Sequence, residues 1–151
     1  MEQKLVKLCW LRPERQRDLS PPAYETAGSA GMDVEADVET DCVIEPGARA
    51  LIPTGFALSI PKGFEMQVRP RSGLAVKYGV TIINSPGTID SDYRGEVKIG
   101  LINLGDQPYT VGRRDRIAQL VLAPVAMADM KAVKILDITD RGTGGFGHTG
   151  L

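Results

Sequence analysis

Two carboxylates two residues apart stand in the stretch of this sequence that is richest in chemically useful side chains. Residues 84–96 read NSPGTIDSDYRGE and include Asp90 and Asp92. If this segment is an extended hairpin arm, both carboxylates face one way, while Ile89 and Tyr93 face the other. A carboxylate beside a bound phosphate ester can serve as a general base toward water. A solvated hairpin loop explains the same two aspartates, so the residues alone leave both interpretations open.

Groups that bind heterocycles or anions lie near these carboxylates in the sequence. Asn84, near the entry of the same predicted hairpin, offers an amide donor and a carbonyl acceptor to a planar base. In the stretch RPRSGLA, Arg71, Ser72 and the N–H of Gly73 follow one another, which suits a phosphate at a helix start. A capped turn with solvated arginines fits that stretch as well.

Two more polar stretches interrupt the apolar pattern. AGSAGMD sets small residues around two glycines and closes on Asp33, and by itself it is explained as a turn between strands. RRDRIAQL, residues 113–120, brings three arginines to the start of a predicted strand, where a run of charge usually marks a solvated face. Gln119 differs from them, because it is a neutral donor inside an otherwise apolar run.

The sequence ends on a glycine-rich tail, RGTGGFGHTG, with five glycines in residues 141–150. Such a tail stays disordered unless a partner orders it, so it is either dispensable or a lid. Its groups suit a nucleotide: glycine N–H groups can wrap a phosphate, Arg141 is a delocalised cation, and Phe146 offers a face for a base. His148 lacks a cluster of partners, and no chemistry is assigned to it.

The elements that must position these groups are short strands. Apolar residues alternate with polar ones in GFEMQVRP, and the same period of two recurs around Phe56, Leu58 and Ile60 and from Val97 to Leu101. Glycine or proline returns every several residues, which keeps strands short and turns frequent. The pattern predicts an antiparallel sandwich or barrel, with one or two helical turns in RSGLAVKYG.

Composition limits the partners and the compartment. A chain of 151 residues, 42% hydrophobic and 25% charged, is one globular domain, which we divide into a body of residues 1–140 and a tail of residues 141–151. A net charge of -1 gives no bulk attraction to nucleic acid or to a membrane surface. No apolar run suits a leader or a membrane span. Cys9 and Cys42 form no CxxC pair, which predicts two free, buried thiols in a cytoplasmic protein.

Five stretches in one order carry a resemblance to a known family. AGSAGMD, PRSGLA, GTIDSDYRG, RIAQL and RGTGGFGHTG resemble the five motifs of the trimeric deoxyuridine triphosphate nucleotidohydrolases, the dUTPases, from about residue 23 to the C-terminus. The resemblance implies an all-β jelly roll, a distorted β-barrel, that forms a homotrimer. It also implies Mg²⁺-dependent conversion of dUTP and water to dUMP and diphosphate, which removes dUTP from the DNA precursor pool and supplies dUMP for dTTP synthesis.

The resemblance also implies the roles of single residues in the reaction. Asp90 matches the general base that activates the water attacking the α-phosphorus. Asp33 matches the aspartate that helps, through water, to hold a Mg²⁺ ion carried mainly by the triphosphate. The remaining residues matched to the phosphate chain are Arg71, Ser72, Gly73 and Gln119.

Substrate selection is assigned to the 84–98 hairpin and to the tail by the same resemblance. Tyr93 would pack under the deoxyribose and leave no room for a ribose 2′-hydroxyl, and the narrow hairpin would exclude the 5-methyl group of thymine. The uracil edge would be read by Asn84, by the backbone of Thr88, Ile89 and Asp90, and by a main-chain contact near Lys98. In the tail, the matched residues are Arg141 at the γ-phosphate, Phe146 on the uracil face, and Gly147, in a neighbouring subunit's site.

Two positions depart from the family pattern, and two other functions compete. Arg114 stands where the family commonly has a glycine, which predicts a differently shaped turn, and His148 stands where serine is frequent. A dCTP deaminase would share the fold and the trimer but lacks the IDSDY arrangement and the phenylalanine of the tail. A non-catalytic nucleotide sensor or structural trimer would have no need of a general base.

Overall fold

The computed structural model describes residues 3–147, and antiparallel strands make up most of its regular structure. One short helix lies among them. The elements are β1 Lys7–Trp10, β2 Ala23–Tyr24, β3 Met32–Glu35, β4 Cys42–Ile44, β5 Arg49–Ser59, β6 Phe64–Arg69, α1 Ser72–Tyr78, β7 Val80–Ile82, β8 Gly87–Ile89, β9 Glu96–Asn103, β10 Tyr109–Val111 and β11 Arg116–Pro124. The predicted all-β class is confirmed.

The strands form two large sheets and one small one. The first sheet has the order β1-β5-β9-β7, the second has the order β2-β3-β11-β6-β8, and β4 pairs with β10 in the third. Except for β2 and β3, strands that follow one another in sequence, such as β8 and β9, belong to different sheets. Most of the connections between strands therefore run from one sheet to another.

A single apolar core joins the sheets. It takes Phe56 and Ile52 from β5, Ile99 from β9, and Met66 and Val68 from β6. These are residues of the alternating runs, and burial on every second position confirms the strands predicted from their period of two. The 11-residue β5 departs from strict alternation, because five consecutive residues of it are buried.

Helix α1 begins directly after the arginine-rich end of β6. Leu74 anchors it in the core, and Gly79 ends it with a φ of 71°, donating its N–H to the carbonyl oxygens of Leu74 and Ala75. A left-handed residue is what a helix C-terminus of this kind needs, and glycine adopts it without a Cβ penalty. The one or two helical turns predicted here are confirmed.

The prediction that both thiols are free is confirmed, but the prediction that both are buried is wrong. Both cysteines are free, but Cys9 is exposed and Cys42 is half-buried. In β1 the side chains of Leu8 and Trp10 turn inward, so the period of two sends Cys9 outward. The outward face of β1 is open to solvent, since Lys7 and Cys9 on it are both exposed.

The chain leaves the sheets after Pro124. From there to Thr143 every side chain is exposed, including those of Met127, Ile135 and Ile138. We call residues 125–140 the arm and residues 141–151 the tail. No helix in the part of the chain that the structure describes is long and apolar enough to cross a membrane.

Candidate functional site

A cavity of about 390 Å³ opens between β8 and the start of β9. These two strands belong to different sheets and do not pair with each other, so a cavity is left between them. We call this cavity the cleft. Its lining residues are Leu51, Thr88, Ile89, Asp90, Tyr93, Glu96, Val97 and Lys98. It therefore brings together five of the residues expected to act on a nucleotide.

The prediction of a hairpin over residues 84–98 is wrong, because its two strands pair with other strands and not with each other. β8 pairs with β6, whereas β9 pairs with β5 and β7. The connection also turns at Ser91 and Asp92, where the N–H of Tyr93 bonds to the carbonyl oxygen of Asp90 at 3.2 Å. The segment is thus not extended, and Asp92 faces a neighbouring surface cavity instead of the cleft. Asp90 is left as the aspartate at the cleft.

Asn84 lies between the strands that flank the cleft. An ideal Cβ placed on Gly87 of β8 would lie 3.3 Å from Asn84 Nδ2, and one on Gly100 of β9 would lie 3.7 Å from Asn84 Oδ1. The exposed Asn84 amide makes no hydrogen bond to the described residues, so both its donor and its acceptor are available to a ligand.

A second group of polar side chains converges on Asp33 in the five-stranded sheet. Gln119 stands directly opposite Asp33 in the β3–β11 register, and Gln119 Nε2 donates to Asp33 Oδ1 at 3.1 Å. Arg71 donates to both carboxylate oxygens at 3.3 Å, and Arg116 Nη1 donates to Oδ2 at 3.1 Å. We call these four residues the Asp33 cluster, and it unites predicted motifs one, two and four.

Arg116 is the member of this cluster that the sequence analysis did not assign to the site. Positions 116 and 119 of a regular strand would face opposite sides of the sheet. The β3–β11 register shifts between Arg116 and Ala118, and this bulge resets the alternation so that both side chains reach Asp33. The charged run is visible in the sequence, but the bulge that brings Arg116 to Asp33 is not.

Glycine explains how the first motif fits against the fourth. An ideal Cβ on Gly31 would lie 3.2 Å from Cδ and Oε1 of Gln119, so a larger residue there would displace the glutamine. Gly31 of AGSAGMD thus leaves room for the Gln119 side chain beside Asp33.

The donor set does not match a metal site built from protein ligands alone. Among residues 3–147 no three His, Cys, Asp or Glu side chains lie together as a metal site. Asp33 is 8% exposed and already bonds two guanidinium groups. Mg²⁺ prefers octahedral oxygen ligands, usually with several waters and substrate phosphates. The residues suit an ion that is bound mainly by a phosphate chain and that Asp33 contacts through a water molecule.

Ser72 and Gly73 occupy the first positions of α1, and both are exposed. Arg71, just before them, is committed to Asp33 and also donates to the carbonyl oxygen of Arg116 at 3.1 Å. The structure thus places Arg71 in the Asp33 cluster, and the exposed Ser72 hydroxyl makes no hydrogen bond to the described residues.

The tail residues lie apart from the cleft within one chain. Arg141 bonds to the carbonyl oxygen of Gly144, Phe146 is fully exposed, and Gly147 adopts a φ of 82°. None of the three lines the cleft. The departure at His148 lies outside the described residues.

A buried carboxylate, Asp37, is linked through Arg12 to Glu96 on the wall of the cleft. Asp37 is completely buried and accepts hydrogen bonds from Gln16 and Arg113, both at 2.6 Å, and from Arg12 at 3.3 Å. Burial raises the pKa of Asp37, but the hydrogen bonds from Gln16, Arg113 and Arg12 and the charge of Arg15 outweigh it, so the net pKa is lowered. We call these residues the Asp37 network.

The chain is similar to known proteins over nearly its whole length. A family model described as dUTPase matches residues 17–150. The chain is 62% identical over 149 residues to the deoxyuridine 5'-triphosphate nucleotidohydrolase of Desulfotalea psychrophila, covering 99% of each chain. It is 56% identical over 142 residues to the enzyme of that name from Caulobacter vibrioides, covering 93% of this chain and 92% of the relative.

The fold is also similar to that of solved structures. The dUTPase of Staphylococcus bacteriophage 80alpha, solved with dUPNHPP, superposes with a TM-score of 0.86 at 25% identity, covering 99% of this chain and all of that one. This likeness confirms the predicted jelly roll.

Proposed function

The chain belongs to the dUTPase family, and from this premise we infer that it converts dUTP and water to dUMP and diphosphate. It is a dUTP diphosphatase, an enzyme of nucleotide metabolism. The reaction removes dUTP from the pool of DNA precursors and supplies dUMP for dTTP synthesis. The observation that best supports the inference is the cleft, where Asp90 stands beside the groups expected to read uracil.

Asp90 is the proposed general base. It follows β8 directly, and its exposed carboxylate lies on the wall of the cleft. From there it orients a water and takes a proton from it as the water oxygen attacks the α-phosphorus, and diphosphate leaves. Asp92 lies two residues away but outside the cleft, so it is not part of this step.

The phosphate chain is assigned to the Asp33 cluster and to the start of α1. Arg71 and Arg116 bring two guanidinium groups to the cluster, where both pair with Asp33 and Arg116 also pairs with the exposed Glu25. Guanidinium groups can bind phosphate oxygens with two parallel hydrogen bonds. Gln119, Ser72 and the N–H of Gly73 add neutral donors. Donors that are fixed beforehand stabilise the charge that develops on the leaving diphosphate more than the charge of the ground state.

Magnesium belongs to the substrate in this proposal. The dUTPase family uses Mg²⁺, and the triphosphate would carry the ion into the site. Asp33 is the residue that would accept a hydrogen bond from a water on that ion, and the ion offsets phosphate charge during attack.

Selection for dUTP is assigned to the cleft. The Asn84 amide and the backbone from Thr88 to Asp90, with a main-chain contact near Lys98, would pair with the donor and acceptor pattern of uracil. Cytosine reverses that pattern, and each mispaired buried group costs about 1–3 kcal/mol. Tyr93 would close the sugar side against a 2′-hydroxyl, and the narrow cleft would exclude a 5-methyl group.

We propose a homotrimer with shared sites, because the residues expected to bind one nucleotide lie in separate parts of a single chain. The cleft has no lining residue in common with the Asp33 cluster or with the tail. The arm exposes large apolar side chains, among them Met127, Ile135 and Ile138, and such surfaces mark interaction sites. An arm that crosses to a neighbouring subunit would bury them and deliver Arg141, Phe146 and Gly147 to that subunit's nucleotide. Free cysteines support a reducing, cytoplasmic setting.

Hydrolysis in water enriched in heavy oxygen tests the proposed reaction. Attack on the α-phosphorus places the heavy oxygen in dUMP and leaves diphosphate unlabelled. Label in diphosphate would show attack at the β-phosphorus, and absence of dUMP would refute the activity.

A further inference from the structure

Glu96 begins β9 on the wall of the cleft and is held at both its carboxylate and its carbonyl oxygen. Its Oε1 accepts hydrogen bonds from Arg12 Nη2 at 2.6 Å and from the N–H of Gly55 at 3.1 Å. Its carbonyl oxygen accepts one from Tyr93 Oη at 3.1 Å. Only 15% of the Glu96 side chain is exposed. One residue thus ties an N-terminal turn and β5 to the loop that carries Tyr93.

Other residues of the Asp37 network hold Arg12 in place beside Glu96. The Nη2 atom of Arg12 that bonds Glu96 also lies 3.3 Å from Oδ2 of the buried Asp37. The backbone N–H of Arg12 donates to Oε1 of Gln16 at 2.9 Å, and Gln16 Nε2 donates to the same Asp37 oxygen. The guanidinium therefore has little freedom to leave the Glu96 carboxylate, because its other partners are buried.

The second donor to Glu96 comes from an irregularity in β5. The β5–β9 register shifts between Pro53, opposite Lys98, and Ala57, opposite Glu96, so β5 has two more residues than β9 in this interval. Gly55 lies there with a φ of 80°, and its N–H points at the carboxylate instead of at a backbone carbonyl. A Cβ on Gly55 would lie 1.9 Å from Gln16 Nε2. This irregularity is thus built around the Glu96 carboxylate and the Asp37 network.

The Tyr93 ring depends on Glu96 for its position. Tyr93 is half exposed and lies against Gly95, where an ideal Cβ would come within 2.2 Å of Tyr93 Oη. The hydroxyl bond to the Glu96 carbonyl is the polar contact that holds the ring there. Without this anchor, an exposed ring at the cleft is free to change rotamer.

We propose that Glu96 is a positioning residue for sugar selection, because its doubly bonded carboxylate fixes the backbone that anchors Tyr93 at the cleft. This inference rests on the proposed function, in which Tyr93 excludes a 2′-hydroxyl. Glu96 itself contacts no reacting atom, and its effect on the substrate passes through Tyr93.

The test compares kcat/KM for dUTP with kcat/KM for UTP in purified full-length variants. Glu96→Ala removes both carboxylate bonds, and the ratio of the two constants should fall about tenfold or more. Glu96→Gln keeps an oxygen for Gly55 and Arg12, and it should retain the ratio within about threefold. Arg17→Ala is the matched control for the turn, because Arg17 is exposed and pairs with Glu14 alone among the described residues.

The possible outcomes separate this inference from the function on which it rests. If the wild-type enzyme does not prefer dUTP over UTP, the proposed sugar selection fails. If the wild type prefers dUTP and folded Glu96→Ala prefers it equally, only the positioning role of Glu96 is refuted. Should Glu96→Ala not fold, Arg12→Met decides the matter, because it removes one of the two donors: a lowered ratio supports the role and an unchanged ratio refutes it.

Discussion

Single residues near the cleft differ in position because the loop after β8 turns. Asp90 and Asp92 have the same side chain and are two positions apart, yet only Asp90 lines the cleft. A general base must lie within hydrogen-bond reach of the water that it activates, and geometry precedes pKa in that choice. The turn at Ser91 and Asp92 thus separates a carboxylate suited to catalysis from a solvated one.

Replacing Asp90 by asparagine should abolish most turnover and preserve binding. Asp90→Asn keeps the size and polarity of the side chain but cannot take a proton from water, so kcat should fall about 10²–10⁴-fold. The affinity for a non-hydrolysable dUTP analogue, measured by calorimetry, should stay within about threefold. Asp92→Asn is the matched control and should turn over normally. Normal hydrolysis by Asp90→Asn would remove Asp90 from the role.

The buried Asp37 should make stability depend on pH. Its pKa is lowered below the ordinary 3.8, so its contribution to stability is present above that pH and is lost as pH falls below it. Asp37→Asn should lower the free energy of unfolding by about 3–5 kcal/mol at neutral pH, with a smaller difference in acid. Urea titrations at several pH values measure this, with exposed Asp106→Asn as control. A difference that does not change with pH would contradict the account.

At the scale of elements, irregular strands place the functional side chains. The bulge in β11 brings Arg116 to Asp33, and the irregularity in β5 aims the N–H of Gly55 at Glu96. Alternation in sequence predicted β6 and the inward face of β9. It did not predict either irregularity, because successive buried residues, such as Ile117 and Ala118 in β11, also fit a strand that is covered on both faces.

The same limit explains the incorrect hairpin. Ile89 and Val97 are both buried and lie on either side of a short polar turn, which is the pattern of paired strands as much as of strands in two facing sheets. Which partner each strand takes depends on β5, β6 and β7, distant in sequence. The residues of the cleft could be named from motifs, whereas its opening between two sheets could not.

In the turn before β11, a residue other than glycine adopts the left-handed conformation. Arg114 has a φ of 68°, and its N–H bonds to the carbonyl oxygen of Ala36. Arg114→Gly should raise the free energy of unfolding by about 0.5–1 kcal/mol, because strain at Cβ is relieved and glycine's larger unfolded-state entropy offsets only part of it. Arg114→Ala, which retains Cβ, should bring no gain. Chemical denaturation measures both, and a loss of stability in Arg114→Gly would show that the turn is unstrained.

At the scale of the whole molecule, one chain does not complete the proposed site. The tail's arginine and phenylalanine lie away from the cleft, and the arm presents apolar side chains to solvent. A heterologous contact that closes after three subunits would give each cleft a tail from a neighbour. Composition indicated the chemistry of the tail, whereas only the family resemblance implied that the tail serves a neighbouring subunit, because composition carries no information on symmetry.

Mixed trimers test whether the tail acts on another subunit. Deleting residues 141–151 should leave a folded trimer with little activity, because the lid is lost while the sheets are untouched. Refolding this deletion together with full-length Asp90→Asn should regain activity, since some clefts then combine an intact Asp90 with an intact tail. Size-exclusion chromatography confirms assembly. Full activity of the deletion alone would show that the tail is dispensable, and no recovery on mixing would place it on its own subunit.

The most direct measurement of the central claim is diphosphate release from a panel of nucleotides in the presence of Mg²⁺. We expect rapid release from dUTP and slow release from dTTP, dCTP and UTP, because the cleft is built to pair with uracil and to close against a methyl group and a 2′-hydroxyl. No release from dUTP, or ammonia produced from dCTP, would contradict the claim.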